Sequence, residues 1–217
     1  MLKLQIIVGS TREGRQSDAV LRWLTPFAQA NGGFEIETLD LRDWPLPFFQ
    51  ETIATLGDFK DPPYSVPLVK RWNNKIKEAD AYLFITAEYN HGIPGVLKNA
   101  IDSVFFSFGF RHKPVAFVGY SIGVAAGVRA VEQLNQVMLE TDAVPVRTQT
   151  LIPLVANAFD SAGKAINPAL DAGLIVMLED LAWLGKALKT ARAEGEPPPP
   201  NMRVRQLTAQ LTAKRTP

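Results

Sequence analysis

Two short stretches hold most of the side chains that can do chemistry. In GSTREGRQSDAV, residues 9–20, Ser10, Thr11 and Ser17 offer hydroxyl donors, Arg12 and Arg15 offer guanidinium forks, and Gln16 offers an amide. In TAEYNHG, residues 86–92, Glu88, Tyr89, Asn90 and His91 crowd into one loop ahead of Gly92, Pro94 and Gly95. The first set suits an anion such as a phosphate, because its donors precede a helical pattern whose free N–H groups and positive dipole end favour negative charge. A plain capped loop, with Ser17 as the cap and both arginines in solvent, is an equal reading of that stretch taken alone. The second set suits a flat ring. Tyr89 can flank a ring face while backbone amides from Glu88 to Gly92 bond its polar edge.

The elements that must position these loops are legible from hydrophobic period. Residues 4–8 form a short apolar run ended by Gly9, which reads as a strand buried on both faces. Val20, Leu21, Leu24, Phe27 and Ala28 fall at helical spacing within 18–30, and Asn31-Gly32-Gly33 stops that helix. Strands follow at 34–39, 81–86 and 115–118, with a fifth inside VPVRTQTLIPL, residues 144–154. Helices are expected at 68–79, 96–106, 123–140 and 168–191, and the segment LRDWPLPFFQE is irregular. Strand–helix repeated five times, with strands too apolar to face water, predicts a three-layer α/β sandwich around a five-stranded parallel sheet. The leading order is 2-1-3-4-5, the flavodoxin-like order. Ligands of such sheets bind at the carboxyl ends of the strands, where the order reverses between strands one and three. Both chemically rich loops emerge there.

Composition narrows the function. A chain of 217 residues is most simply one domain, here 1–194, with a tail over 195–217. Net charge is +1, which gives no electrostatic case for nucleic acid. The absence of cysteine excludes disulfides, thiolate nucleophiles and cysteine-ligated metals. With two histidines, His91 and His112, and no ligand spacing, no metal site is expected. No apolar run approaches a membrane span and the first residues do not read as a signal peptide, so a cytoplasmic protein is expected. There is neither a GxGxxG nor a GxxxxGK[ST] fingerprint, hence no separate dinucleotide fold. Lys98 and Asp102, four apart, read as an intrahelical pair. The run FFSFGF, residues 105–110, holds more phenylalanine than one sheet face can take, which suggests a subunit interface. EGEPPPPNMRVRQLTAQLTAKRTP begins as a proline spacer and ends basic, with Leu207 and Leu211 on one helical side. It reads either as a disordered tail or as a segment that packs on its own body or a neighbour.

GSTREGRQSDAV followed by AEYNHGIPGVLKNAIDSV resembles the NAD(P)H-dependent FMN reductase family, a flavodoxin-like group that includes quinone, azo-dye and chromate reductases. The likeness spans residues 3–145, with Ala87 where the family usually has proline. It implies FMN as cofactor, held at its phosphate by Ser10, Arg12, Arg15, Gln16 and Ser17. Glu88, Tyr89, Asn90, His91 and Gly92 would lie along the isoalloxazine. GYSIGVAAG resembles the family's third flavin loop and adds Tyr120, Ser121 and Gly123. The implied activity is hydride uptake from NADPH or NADH and reduction of a small-molecule acceptor such as a quinone, flavin or azo compound. A homodimer or homotetramer is implied too. Glu88 and His91 are expected to position the ring rather than to transfer protons, since the cofactor supplies the electron pathway. The alternative is a non-enzymatic flavodoxin-type electron carrier, although carriers tend to be strongly acidic and this chain is not.

Overall fold

Strands buried on both faces need helices on both sides, and the chain supplies them in alternation. The structure, a computed structural model, describes residues 1–57 and 61–214. In chain order the elements are β1 (Leu2–Val8), α1 (Ser17–Ala30), β2 (Phe34–Asp40), a short α2 (Ile53–Leu56), α3 (Pro67–Lys77), β3 (Ala81–Ala87) and α4 (Gly95–Asp102). There follow β4 (Pro114–Tyr120), α5 (Val128–Glu140), β5 (Val144–Pro145), β6 (Thr150–Ile152), α6 (Pro168–Glu194) and α7 (Pro200–Ala213). The sheet order is β2-β1-β3-β4-β5, every pairing is parallel, and β6 also pairs with β4. This is the flavodoxin-like order expected from the sequence.

Side chains alternate across each strand, so β3 feeds two separate cores. Leu83 and Ile85 join Val20 and Leu24 of α1 and Leu178 and Leu181 of α6 on one face. Tyr82 and Phe84 join Trp72 and Ile76 of α3, Leu97 of α4 and Leu134 of α5 on the other. β3 and β4 are buried over their whole length, which is why they read as unbroken apolar runs.

Four sequence expectations are corrected here. The fifth strand is two strands, so the sheet has six: Pro114 faces Val144 but Val118 faces Thr150, and the edge takes six steps against four of β4. A break of this kind suits an edge strand carrying Pro145, which has no N–H to pair. Helix α4 stops at Asp102 rather than 106, because Ser103 Oγ bonds back to the Asn99 carbonyl at 2.7 Å. Ser107 Oγ does the same to Val104 at 3.0 Å, and the chain passes into a 3-10 turn at Phe105–Ser107. Helix α5 starts at Val128 rather than 123, since Ala126 and Gly127 take positive φ values of 59° and 83°. Lastly, α6 continues to Glu194.

Of the phenylalanine run, Phe110 is in the core. The other three are half-buried, with Phe106 against Phe49 at 5.9 Å and Phe105 against Phe108 at 6.1 Å. Among the described residues, no helix is long and apolar enough to cross a membrane and no group of three or more His, Asp or Glu could hold a metal ion.

Candidate functional site

The carboxyl ends of β1, β3 and β4 deliver three loops around one cleft of about 630 Å³. Its lining includes Arg12, Arg15 and Gln16 from the first loop and Ala87 to His91 from the second. Tyr120 to Ala125 come from the third loop, and Arg129 from α5. The size is that of a small-molecule site. Of the expected residues, the cleft wall takes members of all three loops but not Ser10, Ser17 or Gly92, which lie behind it.

In the first loop, Ser10 is fully buried and its hydroxyl meets the Tyr89 hydroxyl at 2.7 Å. Ser17 opens α1, fully buried, and its Oγ has no hydrogen-bond partner among the described residues. The Tyr120 hydroxyl is also buried, close to the Ser17 and Ser10 hydroxyls, and burial pushes its phenol above the ordinary value. No side chain caps α1, because Gln16 takes the cap position with helical φ and ψ. A helix N-terminus with free donors and a buried hydroxyl beside it suits an anionic acceptor such as a phosphate.

The two arginines of this loop part company. Arg12 is exposed, and its guanidinium lies over the Tyr89 ring, 5.4 Å from the centroid. Arg15 is buried and forks onto Asp40 (Nη1–Oδ1 2.7 Å, plus an Nη2 ion pair) and onto Asp18 at 2.6–2.8 Å. It also donates to the Ser10 carbonyl. Its fork therefore serves carboxylates behind the loop rather than a ligand in front of it. By neutralising Asp18 and Asp40, it keeps two negative charges from opposing an anion at the helix end. Arg42 Nη2 ties the loop down through the Arg12 carbonyl at 2.7 Å.

The second loop is a tight turn. Tyr89 N donates to the Gly92 carbonyl at 2.9 Å and Gly92 N to the Tyr89 carbonyl at 3.1 Å. Asn90 and His91, with φ of 48° and 71°, form the left-handed corner that such a hairpin needs. His91 and Asn90 are exposed at the rim. The Glu88 amide donates to the Tyr120 carbonyl at 3.0 Å, which welds the second loop to the third. That leaves the Asn90 and His91 amides as the loop donors without a partner among the described residues. The Glu88 side chain is only 3% exposed, pairs with the Arg129 guanidinium and accepts from the Arg129 amide at 3.3 Å. A carboxylate so engaged positions the cleft wall. Lys98 and Asp102 pair with each other at 2.7 Å, as their spacing predicts.

In the third loop, Ser121 Oγ donates to the Gly123 carbonyl at 2.8 Å. The loop is strapped from outside by Leu154 N to Gly123 O at 3.1 Å and Val155 N to Ser121 O at 3.0 Å. Ile122 and Val124 stand exposed on its rim. Two residues were missed from sequence: Arg129, and Gln133, whose Oε1 accepts from the Ile93 amide at 2.8 Å. Both sit on α5, some forty residues beyond the loop they hold, and no local pattern links them to it.

These residues fit an FMN, with an orphaned hydroxyl and helix donors for a phosphate and a deep tyrosine-flanked cleft for a ring. Comparison with known proteins agrees. The profile of the NADPH-dependent FMN reductase family matches residues 2–157. An NAD(P)H-dependent FMN reductase of Pseudomonas aeruginosa is 34% identical over 169 residues, covering 76% of this chain and 85% of that protein. A quinone reductase of Pseudomonas putida is 31% identical over 163 residues, covering 73% and 82% respectively. In fold, the flavoenzyme NAD(P)H:acceptor oxidoreductase of Paracoccus denitrificans superposes with a TM-score of 0.70 at 23% identity, over 86% of this chain and 98% of that one. With the profile laid over the three strands whose loops build the cleft, this chain belongs to the NADPH-dependent FMN reductase family.

Proposed function

We propose that the protein is an FMN-dependent oxidoreductase that takes a hydride from NADPH or NADH and reduces a quinone, flavin, azo compound or similar acceptor. The observation that carries this reading is the buried Ser17 hydroxyl, without a partner among the described residues, at an uncapped helix N-terminus next to Gln16 on the wall of a cleft that Tyr89 and Tyr120 also line. FMN, when bound, supplies the two-electron chemistry. The chain supplies binding, orientation and exclusion of water.

Ser10, Ser17, Arg12, Gln16 and the first amides of α1 hold the phosphate, with Arg15 as the counter-charge behind them. Tyr89, Asn90, His91 and Gly92 border the ring, and Glu88 keeps their loop in place through Arg129. Tyr120, Ser121 and Gly123 close the opposite wall. The domain is residues 1–194, with the tail at 195–217. The protein is read as cytoplasmic and as a homodimer or homotetramer. Its named relatives are reductases, which favours catalysis over electron carriage.

With both substrates reacting at the flavin in this one cleft, they use it in turn. The initial rates of NADPH oxidation by FMN-loaded protein, measured at several quinone concentrations, are expected to give parallel double-reciprocal lines. Intersecting lines would mean simultaneous occupancy. Failure to oxidise either nicotinamide with any of these acceptors would overturn the enzymatic reading itself.

A further inference from the structure

Helix α6 is apolar on more sides than one body can cover. Its inner face carries Leu174, Met177, Leu178 and Leu181 into the core. Val176 and Trp183, seven apart, share the opposite face, where Val176 is 47% and Trp183 72% exposed. Ala172 and Ala187 extend that stripe by a turn at either end, and Glu179, Asp180 and Lys186 are exposed beside it. A helix apolar all round is normally buried. Here one face has no cover among the described residues.

Helix α7 has the reciprocal problem. None of its residues is buried, and Val204, Leu207 and Leu211 form one exposed stripe. A lone 14-residue helix is marginal in water without a packing partner. Residues 200–214 carry Arg203, Arg205 and Lys214 and no acid, so the charge on α7 is wholly positive, where beside the α6 stripe the two acids Glu179 and Asp180 outnumber Lys186.

From this complementarity we infer that α7 of one copy docks on the outer face of α6 of a second copy of the chain. Pairing α7 with α7 would oppose basic faces, and pairing α6 with α6 would oppose acidic ones. Return of α7 to its own α6 is resisted by the connection. Pro197 to Pro200 form a semi-rigid spacer. The Pro197 carbonyl is held by Arg111 Nη2 at 2.8 Å, and Glu196 meets His112 Nδ1 at 2.7 Å. A two-fold assembly then makes the contact twice, which is how a modest helix pair becomes stable. This surface lies apart from the flavin cleft, so its test stands whatever the acceptor proves to be.

The test reads particle mass by light scattering and the accessibility of Trp183 by acrylamide quenching. Trp23 and Trp72 are buried and Trp44 half-buried, so quenching reports chiefly on Trp183. Truncation after Pro199, and the double variant Arg203→Glu/Arg205→Glu, are each expected to halve the mass and raise the quenching. The charge reversal is expected to weaken association by about tenfold or more. Glu179→Arg/Asp180→Arg should do the same, and mixing the two charge variants should restore association and protect Trp183 again. Unchanged mass and quenching in these variants would overturn the proposal. So would a fall in mass without any change at Trp183, or no recovery on mixing. A monomeric full chain that sediments with vesicles of anionic phospholipid would overturn it as well.

Discussion

Replacing Gly127 with alanine is expected to cost about 2–4 kcal/mol and to lower the melting temperature by about 4–16 °C. Gly127 ends the third loop and precedes α5, and its carbonyl accepts from Val131 N at 3.0 Å. An added Cβ would lie 2.8 Å from the Gly119 carbonyl carbon, 3.0 Å from the Tyr120 carbonyl oxygen, and nearer still to the Tyr120 nitrogen. Those atoms are backbone at the carboxyl end of β4, a strand paired on both sides, so they cannot turn aside as a flexible side chain would. The φ of 83° adds strain that only glycine escapes. The loop must therefore lift away from β4, carrying Ser121 and Gly123 with it, and FMN affinity should fall along with stability. Gly123→Ala on the same loop is the control, since an added Cβ there would meet nothing within 4 Å. It should melt within about 0.5 kcal/mol of the parent. Thermal melts of the two variants decide the matter: equal melting temperatures would mean that the close approach at Gly127 does not constrain the loop.

What the sequence made legible was the part of the fold set by local pattern. β3 and β4 are buried on both sides and so appear as apolar runs, and the cleft lies where order 2-1-3-4-5 must place it. The misses have one physical source, competition between local propensity and contacts distant in the chain. Residues 123–127 are small and look helical, but Gly127 must pass within touching distance of Tyr120, and helix starts only after it. The edge strand looks continuous, but Pro145 and a two-residue excess over β4 divide it. Of the phenylalanine run, read from sequence as a subunit interface, Phe110 is core and Phe106 packs under the irregular segment after β2, while Phe105 and Phe108 are half-buried. Arg129 could not be found at all, because its role comes from Glu88, 41 positions earlier. Arg12 and Arg15 were indistinguishable by type and spacing, and tertiary structure separates them.

That separation yields an opposed pair of outcomes. Arg15→Ala is expected to destabilise the fold by about 2–4 kcal/mol, because it strands Asp40 and Asp18 against a neighbour that no longer balances them. The lower end allows for the partial exposure of both carboxylates. Arg12→Ala should leave stability within about 0.5 kcal/mol, since the side chain is exposed, yet weaken FMN about tenfold to a hundredfold. Acidity gives a second reading of the same contact. Burial pushes the Asp40 carboxyl up, but the Arg15 hydrogen bond, the Arg42 amide and their charges outweigh it and hold it below the ordinary value. A carboxylate depressed in the folded state stabilises the protein above its unfolded pKa of about 4, and that contribution disappears as pH falls through the folded value. The stability gap between parent and Arg15→Ala should therefore be full at pH 7 and narrow below about pH 4. Denaturant titrations at both pH values, with FMN fluorescence titrations at neutral pH, test both halves. If Arg15→Ala were as stable as the parent but lost FMN as Arg12→Ala does, Arg15 would be a phosphate ligand after all, and its fork on Asp40 would not describe the working site.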